Sequence, residues 1–100
     1  MIVPTIHIPA EPLAAICRKY GVQRLSLFGS ILTARFGPES DVDMLVEFQP
    51  GSQTTYFDLA GMEAELTALI GRKVDLRTPA ELSRYFRDRV LREAQVQYAA

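Results

Sequence analysis

Cysteine and histidine are nearly missing from this chain, with Cys17 and His7 the only examples. A single cysteine excludes an internal disulfide framework and a cysteine-built zinc site. A single histidine with no ligand partners close in sequence is read as a surface or packing residue. No apolar run approaches the ~18 residues of a membrane span. The first ten residues lack the basic stretch and apolar run of a signal peptide, so the expected setting is cytoplasmic. Charge of one sign is also lacking: the net value is −1. This balance argues against a protein that coats nucleic acid, and no direct nucleic-acid binding is expected. Internal repeats, low-complexity runs and linkers are absent, so residues 1–100 are expected to form one domain. Apolar residues make up 48% of the chain, enough for a core.

What is present centres on residues 24–47, RLSLFGSILTARFGPESDVDMLVE. Arg24-Leu25-Ser26-Leu27-Phe28 reads as a strand, and Gly29-Ser30 ends it and opens a short helix over 30–35. After ten intervening residues beyond Ser30, Asp41-Val42-Asp43 starts a second strand. Side chains on a strand alternate, so Asp41 and Asp43 share a face. Two adjacent carboxylates repel unless a cation lies between them. Glycine lets backbone approach a ligand closely, and free N–H groups at a helix start attract phosphate. Acids suited to a divalent metal, facing a turn suited to phosphate, point to phosphoryl or nucleotidyl transfer.

The remaining chain supports that stretch. Prolines 4 and 9 make residues 1–9 a short extended arm. A helix is expected over 11–20, with Leu13, Ile16, Cys17 and Tyr20 on its apolar stripe and Gly21 ending it. Residues 48–55 read as a loop. A helix follows over 56–70, with Leu59, Met62, Leu66, Leu69 and Ile70 inward, Glu63 and Glu65 outward, and Gly71 as its stop. A third strand covers 72–77, with Val74 and Leu76 on one face and Asp75 on the other. Thr78-Pro79-Ala80-Glu81 has the form of a capping box with proline in the first turn. Leu82, Phe86, Val90 and Ala94 recur every four residues, so the chain beyond is expected to be helical to residue 100, with a break near Ser83 left open. Three strands with helices packed on them make an α/β (α+β) domain, a short mixed β-sheet flanked by helices. If the third strand lies beside the second, Asp75 joins Asp41 and Asp43, and such acids can hold one or two Mg²⁺ ions or accept a proton.

Gly29-Ser30, ten residues, then Asp41-Val42-Asp43 resembles the Gly-Ser-x10-Asp-x-Asp signature of the DNA polymerase β-like nucleotidyltransferases. More closely, LFGS, SDVDMLVEF, YFDLAGMEAEL, GRKVDLRTPAEL and RDRVLREA resemble the minimal nucleotidyltransferases, the MNT or MntA-type antitoxins. This likeness covers nearly the whole chain. It implies the nucleotidyltransferase fold, with Gly29 and Ser30 holding the nucleotide triphosphate. It also implies Mg²⁺ on Asp41 and Asp43, with Asp75 as third acid. The implied substrate is ATP or another nucleoside triphosphate, and the implied partner is a HEPN-domain toxin, silenced by AMP transfer to one of its tyrosines. The chain departs from the family's Gly-Ser-x-Ala-Arg-Gly continuation: Thr33 and Ala34 occupy the Arg and Gly positions.

Two other readings compete. A non-catalytic antitoxin would keep the fold and act by binding alone. Transfer to a small molecule such as an aminoglycoside usually needs a second, acceptor-binding domain. Self-association is left open. Arg77, Arg84, Arg87, Arg89 and Arg92, with acids interspersed, read as a solvated helical face or as a contact for the acidic parts of a partner or for RNA.

Overall fold

The computed structural model describes residues 6–100. Of the arm expected over 1–9, residues 1–5 lie outside the described residues; Ile6 and Ile8 pack against the core, and His7 is exposed. Helix α1 spans Ala10–Lys19, with Glu11 in its first turn and Arg18 and Lys19 in its last, the order that suits the helix dipole. It buries Leu13 and Cys17. Burial disfavours the thiolate and pushes the Cys17 thiol up to about 11, as befits a small apolar side chain.

Four strands, β1 (Val22–Phe28), β2 (Val42–Phe48), β3 (Val74–Arg77) and β4 (Gln95–Ala99), form one sheet in the order β3-β2-β1-β4. β2 runs antiparallel to β1 and parallel to β3, and β4 runs antiparallel to β1. A bulge between Val22 and Arg24 lets both Val22 and Leu25 reach the core, although they are three apart, and starts the strand earlier than alternation predicts. Leu25, Leu27, Val42, Met44, Val46, Val74 and Leu76 turn one sheet face towards α1 and α2. Leu45 is buried from the opposite face, where it shares a small pocket with Leu91, Ala94 and Val96.

Helix α2 covers Tyr56–Ile70, the bounds its periodicity predicts. Thr55 and Asp58 cap its start reciprocally: Asp58 N–H donates to Thr55 Oγ1 at 3.3 Å, and Thr55 N–H donates to Asp58 Oδ2 at 3.0 Å. Gly71, at φ +76°, closes its end in the left-handed region. The expectation that Glu63 and Glu65 turn out from the apolar stripe holds for Glu65, whose side chain stays on the solvent side, and is corrected for Glu63. β3 is an edge strand whose outward N–H groups need acceptors, and Thr67 Oγ1 takes that of Val74 at 3.1 Å while Glu63 Oε2 takes that of Leu76 at 2.8 Å. Glu65 accepts from Lys19 Nζ at 2.9 Å and from the Tyr20 hydroxyl, joining α2 to α1.

The C-terminal expectation also needs correction. Thr78 and Glu81 do form their capping box, with Thr78 N–H donating to Glu81 Oε1 at 2.9 Å, but it opens only a 3₁₀ turn over Pro79–Glu81. Helix α3 is short, Arg87–Glu93, and β4 follows, so there are four strands where three are expected. The reason lies in the far side of β1. Leu25 and Leu27 are fully covered only if the sheet continues past β1, and Val96 and Tyr98 have the side chains that strands favour. Ala94, in extended backbone, ends α3 and releases the chain into that pairing. The expected short helix over 30–35 is a 3₁₀ turn over Gly29–Leu32. Among the described residues no helix is long and apolar enough to cross a membrane.

Leu25 is 0% exposed and Phe57 90% exposed. Leu25→Ala is expected to cost about 2–5 kcal/mol in urea unfolding, and Phe57→Ala less than about 0.5 kcal/mol. Equal losses for the two would contradict this account of the core.

Candidate functional site

Asp43 stands second in β2, between Phe28 of β1 and Asp75 of β3, with which it is in register. Val42, Met44, Val74 and Leu76 take the helix-covered face, so Asp43 and Asp75 share the other. Asp41, exposed and just ahead of β2, has the same parity. The structure therefore brings the three acids to one end of one sheet face.

The chain leaves β1 through Gly29, whose φ of +79° is left-handed. A Cβ there would lie 3.2 Å from Asp43 Cγ and 3.3 Å from Asp43 Cβ, with Oδ2 nearer still. Glycine is thus required twice, for the turn and for the space the Asp43 carboxylate occupies. Ser30 follows at the start of the 3₁₀ turn, and its carbonyl accepts from Thr33 N–H at 2.9 Å and Thr33 Oγ1 at 2.8 Å. Thr33, at the position of the motif's departure, thus ends the turn.

The ten-residue spacer is folded rather than slack. Arg72 donates to the carbonyls of Gly37 and Ser40, each at 2.7 Å, and lies over the Phe36 ring at 4.6 Å. Val42 N–H donates to Lys73 O at 2.8 Å. Residues 72 and 73 thereby fix where β2 starts, with Asp41 just ahead of it and Asp43 second in it. Sequence reasoning places Arg72 in the third strand and carries no signal for this clamp.

Arg77 is the other residue missed. Two positions beyond Asp75 on the same strand face, it forks that carboxylate with Nε to Oδ1 at 3.0 Å and an Nη to Oδ2 at 3.2 Å. The Asp-x-Arg spacing on a strand is the signal that could have found it. Of the other arginines grouped with it in sequence, three have separate partners. Arg84 lies over Tyr85, Arg87 donates to Leu82 O at 2.8 Å, and Arg89 pairs with Glu93 at 3.5 Å.

Burial raises the Asp43 carboxyl above its ordinary range, the negative charges of Asp75 and Asp41 raise it further, and Arg77 partly offsets them. A half-buried carboxylate with two others near it is a place where positive charge is missing. Among the described residues no three acids are gathered so as to hold a metal ion by themselves, and Asp75 is turned to Arg77. Mg²⁺ commonly takes one or two carboxylates and completes its shell with water and substrate phosphate oxygens. The donors present, Asp41 and Asp43 beside an open glycine turn, fit that mode of binding.

Residues 11–97 match the nucleotidyltransferase domain family. A candidate protein adenylyltransferase of Methanocaldococcus jannaschii is 38% identical over 79 residues, 79% of this chain and 83% of that protein. The protein adenylyltransferase MntA of Thermococcus cleftensis is 35% identical over 75 residues, 75% of this chain and 74% of that one. A solved structure described as a candidate minimal nucleotidyltransferase is 34% identical and superposes with a TM-score of 0.70, covering 85% of each chain. In fold alone, at 18% identity and a TM-score of 0.61, the chain also resembles one in the complex of tri-AMPylated Shewanella oneidensis HEPN toxin with MNT antitoxin, covering 88% of this chain and 67% of that one.

Two expectations follow from the geometry. Gly29→Ala should lose about 1–3 kcal/mol on thermal unfolding, because the left-handed turn is strained with a Cβ and the Asp43 carboxylate must move. An unchanged melting temperature would mean the turn is not tight. The second concerns pH. The Asp43 carboxyl titrates higher folded than unfolded, so the ligand-free fold loses stability as pH rises through the folded value. Asp43→Asn should therefore melt higher than the parent at pH 7, and the gap should close as pH falls below the ordinary carboxylate range of ~4. For a domain this size each kcal/mol is about 4–8 °C.

Proposed function

The chain belongs to the nucleotidyltransferase domain family, in its minimal, MntA-type form, and on that premise we propose that it transfers AMP from ATP to a tyrosine of a HEPN-domain toxin and so acts as the antitoxin of that pair. The observation that carries this reading is the placement of Asp43, in register with Asp75 and packed over Gly29. The names of its adenylyltransferase relatives support the reaction, and the fold shared with a chain of the AMPylated HEPN complex supports the partner.

The whole 100-residue chain acts as one such domain, in the cytoplasm. Gly29 and Ser30 bind the triphosphate at the turn, which the contact of Gly29 with Asp43 sets directly beside the acids. Asp41 and Asp43 hold Mg²⁺, which neutralises triphosphate charge when bound. Asp75, level with Asp43, is the third acid: it completes the cation's surroundings or accepts the proton of the attacking tyrosine hydroxyl. That oxygen bonds to the α-phosphorus, the α–β phosphoanhydride bond breaks, and pyrophosphate leaves with the electron pair. Asp43 packed against the turn, with Asp41 just ahead of it, orients the reactants, and orientation with charge stabilisation is most of what phosphoryl transfer asks of a protein.

Incubation with labelled ATP, Mg²⁺ and a HEPN protein tests the reading. Asp43→Ala should slow AMP transfer at least about a hundredfold, since it removes a source of several kcal/mol of charge stabilisation. It should keep partner binding and a melting temperature no lower than the parent's. Transfer by the variant at the parent's rate would remove Asp43 from the site. A parent that transfers nothing yet still neutralises the toxin would establish antitoxin action by binding alone.

A further inference from the structure

The two-pronged contact between Arg77 and Asp75 has no part in the reaction as written, and it spans the one acid on which a three-carboxylate cation site depends. We propose that Arg77 is a positioning residue, a latch that grips Asp75 and keeps it from a cation held by Asp41 and Asp43 until nucleotide binds.

Three observations place it there. Asp75 and Asp43 are in-register neighbours on parallel strands, so their carboxylates are within reach of a common ion whenever Asp75 is free to turn. Both Asp75 oxygens are instead engaged, at 3.0 and 3.2 Å, by one guanidinium. Arg77 is level with Leu45, two residues beyond the Asp43–Asp75 pair, so it approaches Asp75 from along the strand, on the face that the acids share. The contact is local to β3: the two residues are separated by Leu76 alone, whose buried side chain anchors the strand on the other face. The latch needs no movement of the sheet to open, only rotation of two side chains, each partly exposed. A planar fork matches both oxygens at once, which a lysine ammonium cannot do.

An exposed pair of this kind is weak, so it delays rather than forbids engagement of Asp75. Its effect is to leave the nucleotide-free protein with a two-acid, low-affinity cation site. The triphosphate, carrying its own negative charge, offers Arg77 another partner and frees Asp75. Cation and nucleotide would then bind together rather than the cation alone.

This inference rests on the proposed cation site, and its test separates the two. Mn²⁺ is titrated into the nucleotide-free full chain by electron paramagnetic resonance, for the parent, Arg77→Ala, Arg77→Lys and Asp43→Asn. Arg77→Ala should bind Mn²⁺ about two- to fivefold more tightly than the parent, the range set by a partly exposed ion pair. Arg77→Lys keeps the positive charge but loses the fork, and should also bind more tightly. With saturating ATP the three affinities should converge. If Arg77→Lys matches the parent, the arginine acts as a distant charge and there is no latch. If Arg77→Ala matches the parent while Asp43→Asn loses Mn²⁺, the cation site stands and the latch falls. If Asp43→Asn keeps the parent's affinity, both fall. Melting curves for each variant exclude unfolding as the cause.

Discussion

Everything at the site depends on the register in which β2 lies between β1 and β3. Phe28, Asp43 and Asp75 are cross-strand neighbours, and a slip of one residue in either pairing would send a carboxylate into the core. The core prevents the slip. Val42, Met44 and Val46 are fully buried against α1 and α2, and a one-residue shift would put Asp43 and Leu45 in their place. Burying an unpaired carboxylate is far more costly than anything gained by the shift. The same alternation that builds the core therefore builds the site.

That arrangement holds like charges together. Asp43 is half-buried, with Asp75 beside it and Asp41 two residues before it, and its carboxyl is raised accordingly. The ligand-free fold carries this cost, which Arg77 lessens, and the packed sheet offsets it. β3 is the strand most exposed to loss, since it is short and lies at the sheet's edge. Its outward N–H groups are taken by Thr67 and Glu63 of α2, which gives the strand a second set of hydrogen bonds in place of a neighbouring strand. Asp75 is thereby carried on a strand fixed from both sides.

Much of this was legible in the sequence, for a physical reason. Period-two alternation in DVDML and KVDL fixes which residues face the core, and parity then fixes that Asp41, Asp43 and Asp75 can share a face. Helix α2 was legible in its periodicity and its glycine stop. Contacts between residues distant in sequence were not. Nothing local to Arg72 says that it will hold the carbonyls of Gly37 and Ser40, and nothing local to Glu63 says that its carboxylate will serve a strand edge. The C-terminal segment was misread because a spacing of four favours helix. The decision for β4 was made by β1, whose buried leucines need a strand beside them. Tertiary demand overrode a local pattern there.

The positions of Gly29 and Arg72 show why the motif's spacing matters physically. The turn at Gly29 has to end β1 where β2 begins, since its missing Cβ is the space that Asp43 fills. Between them the spacer must leave the sheet and return to it, and Arg72, arriving from the far end of α2, fastens the returning limb at Gly37 and Ser40. Lys73 then hands its carbonyl to Val42 N–H, so the first residue of β2 and the approach to β3 are joined before either strand begins. A longer or shorter spacer would still close as a loop, because loop-closure entropy changes slowly with length. It would not present Gly37 and Ser40 to the same guanidinium. The constraint on the ten residues is thus geometric rather than entropic, and it acts through a residue that belongs to neither half of the motif.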